Sequence, residues 1–96
     1  MHIITTTIKP EFLRQIVAGE KQIEYRDIKS YWIRRFNGVK PPFLLRLING
    51  MQANAPEVTV VIQKIRENTG SGYFELAIGR IVQVKHWNRK LERPIR

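Results

Sequence analysis

The sequence predicts an α+β fold: a small, partly closed β-barrel of about five strands, with two short helices packed at its openings. Three observations carry this expectation. Turn residues cut the chain into short segments whose apolar spacing reads β-α-β-α-β-β-β. The 96 residues, 43% of them hydrophobic, fit one domain, 1–96, with a small core. Five strands are more than one flat layer of so small a domain buries on both faces, and a curled sheet solves that problem.

Residues 3–8, Ile-Ile-Thr-Thr-Thr-Ile, are β-branched throughout and read as a strand. Pro10 suits the first turn of a helix, where its missing N–H costs nothing. Phe12, Leu13, Ile16 and Val17 form one apolar stripe, and Gly19 is placed to end the helix, which spans about 10–18. Residues 22–28 alternate as a strand, with Ile23, Tyr25 and Asp27 on one face and Gln22, Glu24, Arg26 and Ile28 on the other. Tyr25 is expected in the core.

Ser30 is expected to cap a second helix with Trp32, Ile33 and Phe36 inward, ended by Gly38. Pro41-Pro42 makes a stiff connector to a near-continuous apolar strand, 43–48. Asn49-Gly50 is a tight-turn signal and 52–56 is loop. Residues 58–65 form another strand, 68–72 a flexible connection, and 73–84 a long last strand in which Gly79 marks a bulge or bend. From about 85 the chain is a basic tail holding Trp87.

There is no cysteine, which favours a reducing, cytoplasmic setting and removes thiol nucleophiles and thiolate metal sites. His2 and His86 share no ligand-type spacing, so neither a metal centre nor a cofactor is expected. The first residues lack the pattern of a signal peptide, and no apolar run is long enough to span a membrane. A monomer is the favoured state.

Charge says more. Seventeen Lys and Arg against eight Asp and Glu leave a net charge of +9. A field of that sign favours polyanions such as RNA, DNA or nucleotides. The excess is concentrated: residues 29–46 carry five cations and no acid, and residues 80–96 carry six cations against Glu92 alone. The chain is therefore expected to have a basic side.

The segment that carries chemistry is Gly19-Glu20-Lys21-Gln22-Ile23-Glu24-Tyr25-Arg26. Gly19 ends the helix and lets the backbone turn, and Lys21 follows where the strand begins. Glu24 and Arg26, two apart on that strand, leave the same face, so the three charged groups can converge at one end of the barrel. Such a cluster permits two chemistries. Arg offers a planar fork to a phosphate or base edge, and Glu accepts from an amine or hydroxyl. Alternatively Lys and Glu form a proton-transfer pair. An ordinary surface trio of salt bridges has the same composition.

The spacing Gly19-x-Lys21-x-x-Glu24-x-Arg26 resembles the G-x-K-x-x-E-x-R motif of the ASCH domain family. The lead-in Ile8-Lys9-Pro10 looks like ASCH sequences, and the segment Tyr31 to Gly38 and the strand Phe74 to Gly79 are similar to short phage-type members. The resemblance implies a PUA-like β-barrel, with RNA or a nucleotide-like ligand held in a cleft beside the motif. One branch of related small bacterial proteins hydrolyses the amide of N4-acetylcytidine with the motif lysine as the central catalytic residue. Lys21 keeps that position, whereas Glu24 stands where that branch has threonine. Other members are reported to cut RNA without metal.

These readings place candidate ligand contacts at Lys9, Lys21, Glu24, Arg26, Trp32, Arg34 and Arg35, with Lys21 and Glu24 catalytic if the protein is an enzyme. Lys9 precedes helix one and could reach a phosphate there. Trp32 reads as core or as a stacking surface for a base. Arg34 and Arg35 read as a solvated helix face or as phosphate contacts. Glu75 is a candidate second carboxylate. His86 to Lys90 is a basic arm or a frayed tail.

Overall fold

The computed structural model describes residues 1–95; Arg96, the last cation of the basic tail, lies outside the described residues. The elements are β1 (Ile3–Thr7), α1 (Pro10–Val17), β2 (Ile23–Asp27), α2 (Ser30–Phe36), β3 (Phe43–Ile48), β4 (Glu57–Asn68), β5 (Tyr73–Lys85), β6 (Trp87–Asn88) and β7 (Arg93–Pro94). The class is α+β, as the sequence predicts.

The main sheet has the order β1-β3-β4-β5-β2. Strand β1 runs parallel to β3, and every other neighbouring pair is antiparallel. The sheet curls as a half-barrel and does not close into a hydrogen-bonded ring, so β1 and β2 remain edge strands. The bend is built into its two longest strands. Pairing between β4 and β5 slips three times between Thr59 and Lys64, opposite Gly79, where the sequence places a bulge.

The concave face holds the core. Phe43, Leu45 and Leu47 of β3, Val58, Val60 and Ile62 of β4, and Phe74 and Leu76 of β5 are buried, together with Ile4 and Ile8. Helix α1 seals one side with Leu13 and Ile16, and α2 contributes Phe36. The β3 run looks continuously apolar in sequence, yet it alternates between fully and half-buried positions because only one face meets the core. Trp32 stacks on Phe36 at 5.2 Å, and Phe36 meets Phe74 edge-on at 5.0 Å, which anchors α2 to the barrel.

Three local expectations change. Ser30 occupies the first helical position of α2, and Lys29 is the cap without a side-chain hydrogen bond. Ile33 is 48% exposed, because so short a helix turns only one narrow stripe, Trp32 and Phe36, toward the core. Tyr25 is 47% exposed, not in the core. In the β2–β5 pairing Glu24 lies opposite buried Leu76 and Arg26 opposite buried Phe74, so the charged pair takes the concave face and Tyr25 the convex one. A period of two assigns residues to a common face and does not say which face is inside.

The basic tail is ordered against the barrel. Strands β6 and β7 form a small hairpin, Trp87 is buried in the core cluster, and Glu92 accepts from Arg14 of α1 at 3.1 Å.

Candidate functional site

Local chain geometry sets the site before any tertiary contact. Helix α1 ends where the Gln15 carbonyl accepts from the N–H groups of Glu20 and Lys21, at 2.8 and 3.1 Å. Gly19 turns the chain with φ of 79°, a conformation that a Cβ disfavours. The Gln22 side chain fixes the turn by donating to the Gly19 carbonyl at 2.8 Å. Lys21 is thereby held at the entrance to β2.

The three charged groups of the motif meet. Lys21 Nζ lies 3.4 Å from Glu24 Oε1, and Arg26 Nη2 donates to Glu24 Oε2. The Glu24 side chain is 6% exposed, and those of Lys21 and Arg26 are 14% and 17% exposed. A buried carboxylate of this kind is strongly disfavoured unless paired, and here each oxygen has a cationic partner. Lys21 Nζ also sits 5.1 Å from the Phe12 ring and 5.2 Å from the Tyr25 ring, within cation–π range.

Arg26 extends the cluster across the opening of the half-barrel. Its Nη2 donates to the Thr7 carbonyl on β1 at 3.0 Å, and its guanidinium lies 5.2 Å from the Trp32 ring. Arg26 Nε is sealed from solvent and has no hydrogen-bond partner among the described residues. Arg35 repeats the arrangement one step along. It donates to the Thr5 carbonyl at 3.0 Å and to the Tyr31 hydroxyl at 2.6 Å, and lies 5.7 Å from Trp32.

A cavity of about 400 Å³ opens beside this cluster. Lys9, Lys21, Glu24 and Arg26 supply its charge, Phe12 and Tyr25 its aromatic wall, and Thr7 and Ile8 its β1 side. That volume lies in the ~300–1,000 Å³ range of small-ligand sites.

Of the seven sequence candidates, the structure brings four to the cavity: Lys9, Lys21, Glu24 and Arg26. Trp32 lies behind it, under Arg26 and Arg35. Arg35 is engaged with β1, and Arg34 points to solvent on the exposed side of α2. Glu75 does not line the cavity; it accepts from Asn68 at 3.1 Å and pairs with Arg66. Sequence reasoning missed the aromatic wall. Phe12 belongs to the apolar stripe of α1, yet at the N-terminal end of that stripe it is 38% exposed and faces the cavity.

A second charged pair lies outside the site. Arg46 on β3 grips Glu57 on β4 through two hydrogen bonds of 2.7 and 2.8 Å. The Arg46 hydrogen bonds hold the Glu57 carboxyl below its ordinary value, against the opposing effect of burial.

Among the described residues, no three His, Asp or Glu side chains gather in a way that would hold a metal ion. No described helix is long and apolar enough to cross a membrane. The cavity offers instead a fixed cluster of cations beside exposed aromatic rings, chemistry suited to anions that carry a planar group. No family model matches the chain, and no curated protein matches it.

Proposed function

We propose that this chain is an ASCH-type module that holds RNA, or a nucleotide-like group, in the cavity lined by Lys21, Glu24 and Arg26. One observation carries the reading: the three side chains of the Gly19-to-Arg26 motif converge on a single hollow, and the Lys21 ammonium sits between two aromatic rings there. The basic stretches 29–46 and 80–95 supply the surrounding field, with exposed Arg34 and Lys40 in the first and exposed Arg80, Lys85, Arg89 and Lys90 in the second. The setting we infer is cytoplasmic and the binding unit a monomer.

The test is a titration of a fluorescently labelled mixed-sequence RNA at low and moderate salt, beside Lys21→Ala. Affinity should fall at least about tenfold over that salt range, as counterion release requires. The variant should lose most of what remains. An affinity indifferent to salt, or to Lys21, removes this reading.

A second reading rests on the 3.4 Å separation of Lys21 Nζ and Glu24 Oε1, which is close enough for proton exchange with little movement. In that case the site hydrolyses the amide of a modified cytidine or cleaves RNA, with Lys21 as base or nucleophile and Glu24 as its proton partner. Incubation with N4-acetylcytidine and with mixed RNA decides it: turnover absent in Lys21→Ala supports the hydrolase, and binding without turnover supports the module.

A further inference from the structure

The charge around the cavity is unevenly spent. Three cations line it, Lys9, Lys21 and Arg26, against one carboxylate, Glu24. Glu24 is 4% exposed, and both of its oxygens face cations of the protein itself, Lys21 on one and Arg26 on the other. It is an internal counterion that holds two cations in place, and its charge is already met within the protein. The neighbouring acid Glu20 is likewise engaged, at 3.3 Å from Arg14 on α1. With Glu24 neutralised internally, the cavity keeps two positive charges in excess.

The donors are unspent too. The exposed Lys9 makes no ion pair among the described residues, and the only carboxylate beside the Lys21 ammonium among them is Glu24. Phe12 and Tyr25, 38% and 47% exposed, present ring surface on either side of the Lys21 ammonium. Two excess charges, unspent donors and a stacking surface within one hollow of about 400 Å³ describe a ligand with a doubly charged head and a planar body.

We infer that the cavity binds the terminal phosphate monoester of a nucleotide, with the phosphate between Lys9, Lys21 and Arg26 and the base against Tyr25 or Phe12. The inference rests on the reading of this cavity as a nucleotide site and adds which part of a nucleotide it selects. A phosphate monoester carries about −1.5 to −2 at neutral pH, whereas each diester linkage inside an RNA chain carries one charge. The monoester matches the local excess and the internal diester does not. A free mononucleotide and the phosphorylated end of an RNA share this chemistry.

Calorimetric titration with a charge ladder tests it: cytidine, the methyl ester of cytidine 5′-monophosphate, and cytidine 5′-monophosphate itself. Two RNA hexamers, with and without a 5′-phosphate, form the second arm. The monophosphate should bind about tenfold or more tighter than its methyl ester, since one further charge-assisted contact is of that order. Lys9→Gln, at an exposed position, and Lys21→Met should each shrink that ratio. A phosphorylated hexamer that outbinds the free monophosphate identifies RNA ends as the source; the reverse order identifies free nucleotides.

Methyl ester and monophosphate binding within about twofold of each other would overturn the inference and leave the nucleotide-site reading standing. A preference unchanged in both lysine variants would overturn it as well. If neither the ladder nor either hexamer binds, both readings fail together.

Discussion

The Arg26 guanidinium donates to the Thr7 carbonyl at 3.0 Å, and the two residues belong to opposite edge strands of one sheet. Strand β1 pairs with β3 through alternate residues, which leaves the backbone groups of Thr5 and Thr7 facing outward at an unpaired edge. Arg26 and Arg35 each satisfy one of those carbonyls with a side chain. The seam of the half-barrel is thus bridged by the Arg26 guanidinium where a closed barrel would use strand pairing, Arg35 ties α2 to the same edge, and the candidate cavity lies at one end of the seam.

Removal of Arg26 is expected to cost more than its exposure suggests. Arg26→Ala takes away the seam contact and one of the two cations beside buried Glu24. Breaking a buried ion pair from one side costs about 3–5 kcal/mol. Urea denaturation should show a loss of that order. Arg26→Lys should recover only part of it, because an ammonium lacks the planar guanidinium that lies 5.2 Å from the Trp32 ring.

Acid stability should depend on the Arg46–Glu57 pair. Because the Arg46 hydrogen bonds lower the folded-state pKa of Glu57, the pair's contribution is fully present above the unfolded carboxyl value. It disappears as pH falls through the folded value. Melting temperature followed from neutral to strongly acid pH should therefore decline, and Arg46→Met should flatten the part of the decline due to Glu57. An unchanged acid limb in the variant would remove this account.

Gly19→Ala tests the turn that aims Lys21. A Cβ at this position meets nothing within 4 Å, so its cost comes from φ of 79° alone. That conformation costs a residue with a Cβ about 1–2 kcal/mol. Gly19→Asn should cost less, since asparagine tolerates the left-handed region. Chemical denaturation of both variants gives the order directly.

Trp87 should hold the C-terminal hairpin to the barrel. Its side chain joins the core cluster, and it pairs with Pro94 across the hairpin. Trp87→Ala should cost about 3–5 kcal/mol, as truncation of a buried aromatic does. Trypsin should then cut faster at Arg89 and Lys90. Glu92→Ala, which removes only an exposed ion pair with Arg14, should cost no more than about 1 kcal/mol.

Much of this was legible in the chain. β-Branched runs gave β1 and β4, the apolar stripe and Pro10 gave α1, and Gly79 gave the bend in β5. These signals are local: each follows from the preferences of a few consecutive residues. The spacing of Lys21, Glu24 and Arg26 likewise put three chemically matched groups within reach of one another, since strand periodicity alone sends Glu24 and Arg26 to one side.

Tertiary structure decided the rest. Which face of β2 turns inward depends on its partner β5, whose buried Leu76 and Phe74 oppose Glu24 and Arg26, and that pairing joins residues some fifty positions apart. The same pairing expelled Tyr25 from the core and made it a wall of the cavity. The seam contacts of Arg26 and Arg35 with β1, and the burial of Trp87, also join distant segments. Local periodicity fixes direction modulo a face; only the curl of the whole sheet fixes what each face meets.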